Sequence, residues 1–188
     1  MDSDSTVIRS ERLDLVPLKP DVLQFTLDGN TAAVERALGL EVPREWHDAN
    51  DVVRIRLRQV TEDSSFLPWS LRAVSSRDQS QMVGHIGFHA KPGADYLEPY
   101  ASNGVEFGFT VFPFFRRRGY AREACLALMD WAYQQHQVSE FILSIRPDNL
   151  PSRRLAQGLG FAQVGSWIDE EDGPEDIFKM NFQGRSAL

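Results

Sequence analysis

The run from Gly104 to His136 constrains the fold more than any other stretch of this 188-residue chain. It reads as an apolar strand, a tight turn with three arginines and one glycine, and then a long helix. The first turn of a helix has N–H groups without intrahelical acceptors, and the helix dipole places partial positive charge there. Glycine tolerates the backbone that lets successive N–H groups converge on an anion. The turn therefore predicts a phosphate site formed by Arg116, Arg117, Arg118, Gly119, Tyr120 and Ala121.

This turn also resembles a known sequence signature. Arg116-x-x-Gly119-x-Ala121 is similar to the R/Q-x-x-G-x-G/A motif of the GNAT acyltransferase superfamily. In that family the loop amides hold the pyrophosphate of acetyl-coenzyme A. The resemblance therefore implies acetyl-coenzyme A as the acyl donor of this chain.

A second element supports the same resemblance. Asn149, the small residue Ser152 and the pair Gly160-Phe161 are similar to the asparagine-containing segment of GNAT enzymes, in which the asparagine and the following short helix line the cofactor arm. The opening residues IRSERLDLVPL and the run Glu106-Phe107-Gly108-Phe109 resemble the branch that contains the ribosomal-protein alanine and serine N-acetyltransferases.

The resemblance implies an α+β GNAT fold, a mixed and strongly twisted central sheet of about seven strands flanked by helices. In that fold the fourth strand, Val105–Phe112, and the fifth, Glu140–Ile145, run parallel and splay apart around the cofactor. We expect residues 1–188 to form a single GNAT acyltransferase domain, with its core at about 7–182. Periodicity predicts a strand at Trp69–Val74, and residues 51–60 carry conflicting strand and helix signals that we interpret as a helix.

The implied reaction is direct attack of a primary amine on the thioester of acetyl-coenzyme A in a ternary complex. The resemblance implies that a backbone N–H among Phe109, Thr110 and Val111 stabilises the charge that develops on the thioester oxygen. Glu106 lies on the same strand, where many relatives place a carboxylate, and could act as the general base. An ion pair on the strand face, or orientation of the substrate, is the alternative role for this carboxylate.

The leaving thiolate needs a proton or a hydrogen bond. Many relatives use a tyrosine seven residues after the asparagine, but this chain has Ala156 there. Ser152, in the first turn of the same helix, is the substitute that we predict. A helix cap or a contact with the cofactor is the alternative role for Ser152.

Three other features have weaker functional interpretations. His85 and His89 lie four residues apart, but a third ligand with matching spacing is missing, so we expect no metal and assign them structural or acceptor-lining roles. Cys125 lies on the apolar face of the predicted helix and is interpreted as a buried hydrophobic residue. An acidic turn over residues 169–176 could attract a cationic acceptor, although such turns are mostly just solvated.

Composition limits the compartment and the partners. The net charge of −7 argues against a nucleic-acid binder, and we expect no membrane partner because no apolar run approaches the roughly 20 residues of a transmembrane helix. One cysteine and a polar start without a signal peptide predict a cytoplasmic protein. The acceptor, a protein N-terminus or a small-molecule amine, and the choice between monomer and homodimer stay open.

Two other classes of function compete with the enzyme. A non-catalytic sensor of acyl-coenzyme A would keep the cofactor site and lack turnover, and the missing tyrosine leaves this class open. A binder of phosphopeptides or nucleic acid would use the arginine cluster. The negative net charge of the chain and the lack of a wider basic stripe argue against this class.

Overall fold

The computed structural model describes residues 6–169 and 173–184. These residues form a mixed sheet with helices. The strands are β1 (Ile8–Arg9), β2 (Leu13–Pro17), β3 (Arg72–Ser76), β4 (Gln81–Phe88), β5 (Val105–Val111), β6 (Glu140–Ile145), β7 (Ala162–Asp169) and β8 (Gly173–Asn181). The α-helices are α1 (Pro20–Leu27), α2 (Thr31–Leu38), α3 (Asn50–Glu62), α4 (Tyr120–His136) and α5 (Leu150–Leu159).

The strands follow the order β1-β2-β3-β4-β5-β6-β8-β7. Strands β1 to β4 are antiparallel, β5 and β6 are parallel, and β8 pairs antiparallel with both β6 and β7. The predicted mixed sheet of an α+β protein is confirmed. Its described residues form eight strands rather than about seven, because Ile8 and Arg9 pair with β2 as an additional short strand. The predicted fourth and fifth strands are consequently β5 and β6.

The parallel ladder between β5 and β6 is short. It contains only the pairs Val105↔Phe141 and Glu106↔Ile142, although β6 continues to Ile145. Beyond Glu106, β5 continues for five more residues outside this ladder. The ladder pairing of β5 with β6 therefore ends at Glu106↔Ile142, and the splay of the two strands stays a prediction.

The chain divides into two compact units, which we describe separately. The first contains the residues up to Gly87 together with Phe109–Ala127. The second contains Phe88–Gly108 together with the residues from Leu128 onward. The single GNAT domain expected over residues 1–188 stays a prediction.

In the first unit, buried side chains explain why the ambiguous segment is a helix. Helix α3 buries Val53, Arg56 and Val60, which recur at the spacing of one helical face. Trp46 is fully buried, and its Nε1–H donates to Thr26 Oγ1 at 2.9 Å. Cys125 is also fully buried, as predicted for the apolar face of its helix, and burial raises the pKa of its thiol.

In the second unit, strand β5 separates an aromatic core from a polar site. The ring of Phe107 packs against Phe88, Phe141 and Phe161 at centroid distances of 6.1 to 6.3 Å. Successive side chains of a strand point to opposite faces. Glu106 therefore lies on the other face, which it shares with its ladder partner Ile142.

Two strand boundaries differ from the prediction. Strand β3 starts at Arg72 rather than Trp69, because Ser64–Trp69 forms a 3₁₀ helix whose last residues precede the strand. Strand β8 starts at Gly173, so Glu175 and Asp176 lie in a strand and not in an acidic turn. Residues 170–172, the centre of that predicted turn, lie outside the described residues.

Candidate active site

The predicted phosphate loop lies in the first unit, between the end of β5 and the start of α4. Arg117 and Gly119 both have a left-handed backbone, with φ values of +62° and +82°. The Glu123 N–H donates to the Gly119 carbonyl at 3.1 Å, which is the first bond of the helix. Helix geometry therefore gives the preceding amides of Tyr120 and Ala121 no acceptor within the helix. Such amides, at the start of a 17-residue helix, can bind an anion.

The three arginines of the loop are all exposed, but they have different surroundings. Arg116 Nε–H donates back to the Val111 carbonyl at 2.9 Å, so this side chain closes the turn. Arg118 stacks over the rings of Phe114 and Phe115, with its guanidinium carbon 5.0 and 5.6 Å from their centroids. Two of the three predicted phosphate ligands thus also hold the shape of the loop.

Arg12, which sequence reasoning did not select, contacts this loop from the start of β2. Its Nη1–H donates to the Arg118 carbonyl at 3.0 Å, and its guanidinium lies 5.0 Å from the centre of the Tyr120 ring. A Cβ added at Gly119 would lie 3.2 Å from Arg12 Nη2. Arg12 therefore covers the side of the turn where glycine is required.

Glu123 holds Arg12 in that position. Its Oε2 accepts from Arg12 Nε and Nη2 at 2.7 Å, and its Oε1 accepts from the Ser10 hydroxyl and the Arg12 amide, also at 2.7 Å. Burial acts to raise the pKa of Glu123, but the hydrogen bonds from Ser10 and Arg12 outweigh it and hold this pKa below its ordinary value. The pair is thus ionised at neutral pH.

The backbone of β5 after Gly108 contains the predicted oxyanion donors. The Phe112 N–H donates to the Val83 carbonyl of β4 at 3.0 Å, and a Cβ added at Gly84 would lie 2.1 Å from the Thr110 carbonyl oxygen. Peptide groups alternate in direction along a strand. The peptide groups of Phe109 and Val111 therefore face away from β4, whereas Thr110 faces it. Among the three predicted donors, the N–H groups of Phe109 and Val111 are thus the ones that do not point towards β4.

The absence of a side chain at Gly84 allows the Thr110 carbonyl of β5 to lie this close to the backbone of β4. The pairing of β3 with β4 shifts register here, because Val74 pairs with Gly84 and Ser75 pairs with Met82. The structure therefore has both a register shift and a close backbone approach at this glycine.

Glu106 lies in the second unit and is almost fully buried, with 3% of its surface exposed. Its Oε2 lies 3.4 Å from Nδ1 of His89, and the backbone N–H of His89 donates to the Glu106 carbonyl at 2.8 Å. Burial acts to raise the pKa of Glu106. Interactions with His89, and smaller ones with the hydroxyls of Ser144 and Tyr96, outweigh burial and hold the pKa below its ordinary value. Glu106 is thus a buried carboxylate kept in its charged, proton-accepting form.

Asn149 and Ser152 lie together at the start of α5. The Asn149 side chain accepts from the Ser152 N–H at 3.2 Å and is the N-cap of the helix. The helix-cap role considered for Ser152 is therefore wrong, since Asn149 performs it. The Ser152 side chain is half-buried, while Ala156 is fully buried one turn later, where a tyrosine was missing.

The two histidines of the sequence prediction have different environments. His85 is buried in the first unit against Trp46 and Phe112, at ring distances of 5.5 and 6.2 Å. Burial, aided by the charge of Arg56, lowers the pKa of His85 to about 4, so this ring is a neutral core residue at pH 7. His89 instead contacts Glu106. Within the two described ranges, no three His, Cys, Asp or Glu side chains are grouped to hold a metal ion.

The acidic residues of β8 have local partners. Glu175 accepts from the Trp167 indole N–H at 3.1 Å, and Asp176 pairs with Arg153 of α5. These contacts use both carboxylates within the second unit. None of the helices in the described part of the chain is long and apolar enough to cross a membrane.

Comparisons with known proteins identify the family of this chain. The model of the acetyltransferase (GNAT) domain family matches residues 12–162. The chain is 26% identical over 173 residues to the uncharacterized N-acetyltransferase YjdG of Bacillus subtilis, which covers 86% of this chain and 96% of YjdG. It is also 26% identical over 89 residues to the uncharacterized N-acetyltransferase YnaD of the same organism, and this match covers 47% of the chain and about half, 48%, of YnaD.

A solved structure of RimL, a ribosomal L7/L12 α-N-protein acetyltransferase in complex with coenzyme A, has the same fold. Its TM-score is 0.65 at 14% identity, and the superposition covers 96% of this chain and 100% of RimL. The family match spans the phosphate loop, Glu106 and α5, which are the elements described above. The chain therefore belongs to the GNAT family of acetyltransferases, which use acetyl-coenzyme A to acetylate amines.

Proposed function

We propose that this chain acetylates an N-terminal α-amine of a protein or peptide, with a small-molecule amine as the alternative acceptor. The observation that carries the proposal is Glu106, a buried carboxylate held in its charged form beside a histidine. Such a group both attracts an ammonium ion and accepts the proton that must leave before attack. The resemblance to RimL, which acts on a ribosomal protein's α-amine, favours the same acceptor class.

The strength of the base matches an α-amine better than a lysine. An α-amine with a pKa near 7.7 to 8 is about a tenth neutral at pH 7, whereas a lysine near 10.4 is neutral in less than roughly one molecule in a thousand. Glu106 has a pKa below that of an ordinary carboxyl, so it is a weak base. A weak base suffices for an acceptor that is already partly neutral.

We infer that the donor binds through its pyrophosphate at the amides of Tyr120 and Ala121, with Arg116, Arg117 and Arg118 supplying positive charge. The left-handed Gly119, the start of helix α4 and the exposed arginines fit a doubly charged phosphate group. Acetyl-coenzyme A supplies the acyl group as a thioester. The side chains of the chain then need only position the donor and the amine, and positioning can contribute up to about 7–11 kcal/mol.

The thioester oxygen becomes more negative during attack. We infer that the amide of Phe109 or Val111 donates to it, because these peptide groups face away from β4. One such donor is worth on the order of 3–4 kcal/mol at the transition state. Asn149 shapes the start of α5, and the half-buried Ser152 hydroxyl is the group that we propose to donate to the leaving sulfur.

The setting of the reaction is also a proposal. The fully buried Cys125 thiol is compatible with the reducing cytoplasm. We propose a cytoplasmic enzyme in which residues 1–188 act as one GNAT domain, as a monomer or a homodimer, without a nucleic-acid or membrane partner.

The test is a comparison of acceptors with the purified protein and acetyl-coenzyme A. One peptide has a free α-amine and no lysine, a matched peptide has a blocked α-amine and one lysine, and spermidine represents the small amines. Release of coenzyme A is followed by its thiol, and mass spectrometry locates the acetyl group. We expect the first peptide to be acetylated fastest. Preference for spermidine would favour the alternative acceptor.

The competing sensor function is decided by the same experiment. Its support is Ala156, which is fully buried where many relatives have a tyrosine. Binding of acetyl-coenzyme A without turnover of any amine would favour a sensor and overturn the proposed enzyme.

A further inference from the structure

We propose that His89 is a positioning and proton-relay residue, which orients the Glu106 carboxylate and passes the proton taken from the amine to solvent. This inference rests on the proposed role of Glu106 as the base. It concerns a residue that the resemblance to GNAT enzymes did not select.

The exposure of the two side chains supports a relay. Glu106 has 4% of its side chain exposed, whereas His89 has 39% exposed, and Nδ1 of His89 lies 3.4 Å from Glu106 Oε2. A carboxylate this buried cannot readily exchange its proton with bulk water. Among ordinary side chains, imidazole most readily accepts and releases protons near neutral pH. His89 thus connects a buried proton acceptor to the surface.

The backbone fixes the histidine beside the carboxylate. The His89 N–H donates to the Glu106 carbonyl at 2.8 Å, which holds the residue after β4 beside the start of β5. The imidazole ring lies over Gly108. A Cβ added there would be 2.9 Å from Nε2 and 3.7 Å from Cε1 of His89. The absence of a side chain at Gly108 is therefore what leaves room for the ring.

Other groups complete the surroundings of the carboxylate. The hydroxyls of Tyr96 and Ser144 also act on Glu106, the first from the loop after β4 and the second from β6. A hydroxyl can hold the charge of a carboxylate, but it does not release a proton to water at neutral pH as an imidazole does. Of the three neighbours, His89 alone has the chemistry of a relay.

Each proton in the proposed relay has a donor and an acceptor. The ammonium of the acceptor gives one proton to the Glu106 carboxylate, and this proton passes to Nδ1 of the His89 ring in the tautomer that carries its hydrogen on Nε2. The imidazolium then releases its Nε2 proton to water. After the amine attacks, the C–S bond breaks, the second amine proton is delivered to the sulfur, and the products are the N-acetyl amine, coenzyme A as its thiol and one proton in solvent.

The experiment measures acetylation by His89→Ala in the full chain, with and without added imidazole. We expect kcat to fall on the order of tenfold to a hundredfold, with the KM for acetyl-coenzyme A changed less than about threefold. Because His89 is half-exposed, imidazole can enter the space left by the alanine. We expect saturable recovery of several-fold, which a purely structural role would not give.

Two variants serve as controls. His47→Ala removes another partly buried histidine, whose Nε2 lies 2.8 Å from Thr31 Oγ1, and we expect no change in kcat and no effect of imidazole. Gly108→Ala keeps the imidazole but displaces it, so we expect a loss of kcat comparable to that of His89→Ala. Circular dichroism establishes that each variant is folded.

The outcomes separate the two proposals. Unchanged kcat in folded His89→Ala, or a loss that imidazole does not restore, would overturn the relay while leaving the enzyme proposal intact. Absence of turnover in the wild-type protein with every amine would overturn the proposed function and the relay together.

Discussion

The guanidinium of Arg12 and the carboxylate of Glu123 meet at 2.7 Å, although 111 residues separate them in the chain. The same carboxylate accepts from the Arg12 amide and the Ser10 hydroxyl, and the same guanidinium donates to the Arg118 carbonyl. One ion pair thus joins the start of β2, the phosphate loop and the first turn of α4. Its role is to hold the shape of the loop.

Replacing Arg12 by glutamine should weaken binding of the phosphate part of the donor. The loop loses its bond to the Arg118 carbonyl and a charge-assisted pair, so we expect the KM for acetyl-coenzyme A to rise about tenfold with little change in kcat. S-acetylpantetheine has the thioester but no pyrophosphate. Its kcat/KM should be the same in the variant and the wild type.

Arg9→Gln is the matched control, because Arg9 is exposed. Its ion pair with Asp14 is long, with 4.0 Å between Nε and Oδ1, and does not involve the loop. We expect its KM for both donors to equal that of the wild type. Equal losses with acetyl-coenzyme A and S-acetylpantetheine in Arg12→Gln would show that Arg12 does not act through the phosphate loop.

Replacing Gly119 by valine should abolish tight binding of acetyl-coenzyme A. A β-branched residue is strained at a φ of +82°, and relief of that strain would turn the amides of the loop away from the phosphates. We expect Kd, measured by calorimetric titration, to rise at least about tenfold, with a near-native circular dichroism spectrum.

Gly39→Val separates strain from binding. Gly39 ends α2 with a φ of +67°, so valine there introduces similar strain without touching the loop. We expect a lower urea midpoint and an unchanged Kd in this control. An unchanged Kd in Gly119→Val would contradict the assignment of the phosphate loop.

Replacing Glu106 by glutamine should lower kcat about a hundredfold, because the amide cannot accept the proton of the ammonium. The KM for acetyl-coenzyme A should stay within about twofold, since the carboxylate is proposed to contact the acceptor. Steady-state kinetics with the α-amine peptide measures both constants.

Glu140→Gln is a suitable control for that variant. Glu140 lies on β6 and pairs with Lys179, and its loss should leave kcat unchanged. A fully active Glu106→Gln enzyme would remove Glu106 as the base and leave only its orienting role.

His85 should make the stability of the fold depend on pH. Its folded pKa of about 4 lies below the ordinary value of 6.5. Between these two pH values the unfolded chain therefore binds a proton at His85 that the folded chain does not bind. For a base with a depressed folded pKa, stability is full above pH 6.5 and is lost as pH falls towards 4. We expect His85 alone to lower the free energy of unfolding by about 2 kcal/mol between pH 7 and pH 4.5.

Urea unfolding at pH 7, 5.5 and 4.5 measures this loss. His85→Gln keeps a polar side chain of similar length that does not titrate, so its free energy of unfolding should decrease less over the same interval. Parallel curves for the variant and the wild type would mean that His85 is protonated equally in both states.

Local patterns predicted most of the fold. The helix at α3 was predicted correctly despite its conflicting signals, because residues at helical spacing along it are buried. Strand β3 was placed three residues early, since an apolar stretch ending in Trp69 can pack as a 3₁₀ helix as well as a strand. Two residues, Ile8 and Arg9, are too few to give any periodic signal for β1.

The candidate site was predictable where its residues form a continuous motif. Gly119 has the left-handed backbone that the phosphate-loop interpretation required. The roles of Arg12 and His89 depend on contacts with Glu123 and Glu106, which are distant in the sequence. No spacing rule connects such pairs, because the tertiary fold brings them together.

Burial of Cys125 should keep the folded protein from reacting with thiol reagents. It is the chain's one cysteine, and it is fully buried with a raised pKa. A reagent that detects released coenzyme A should therefore find no competing thiol in the native enzyme. When the first unit opens, one thiol per molecule becomes reactive. The rate at which Cys125 is labelled in the absence of substrate thus measures how often the core around it opens.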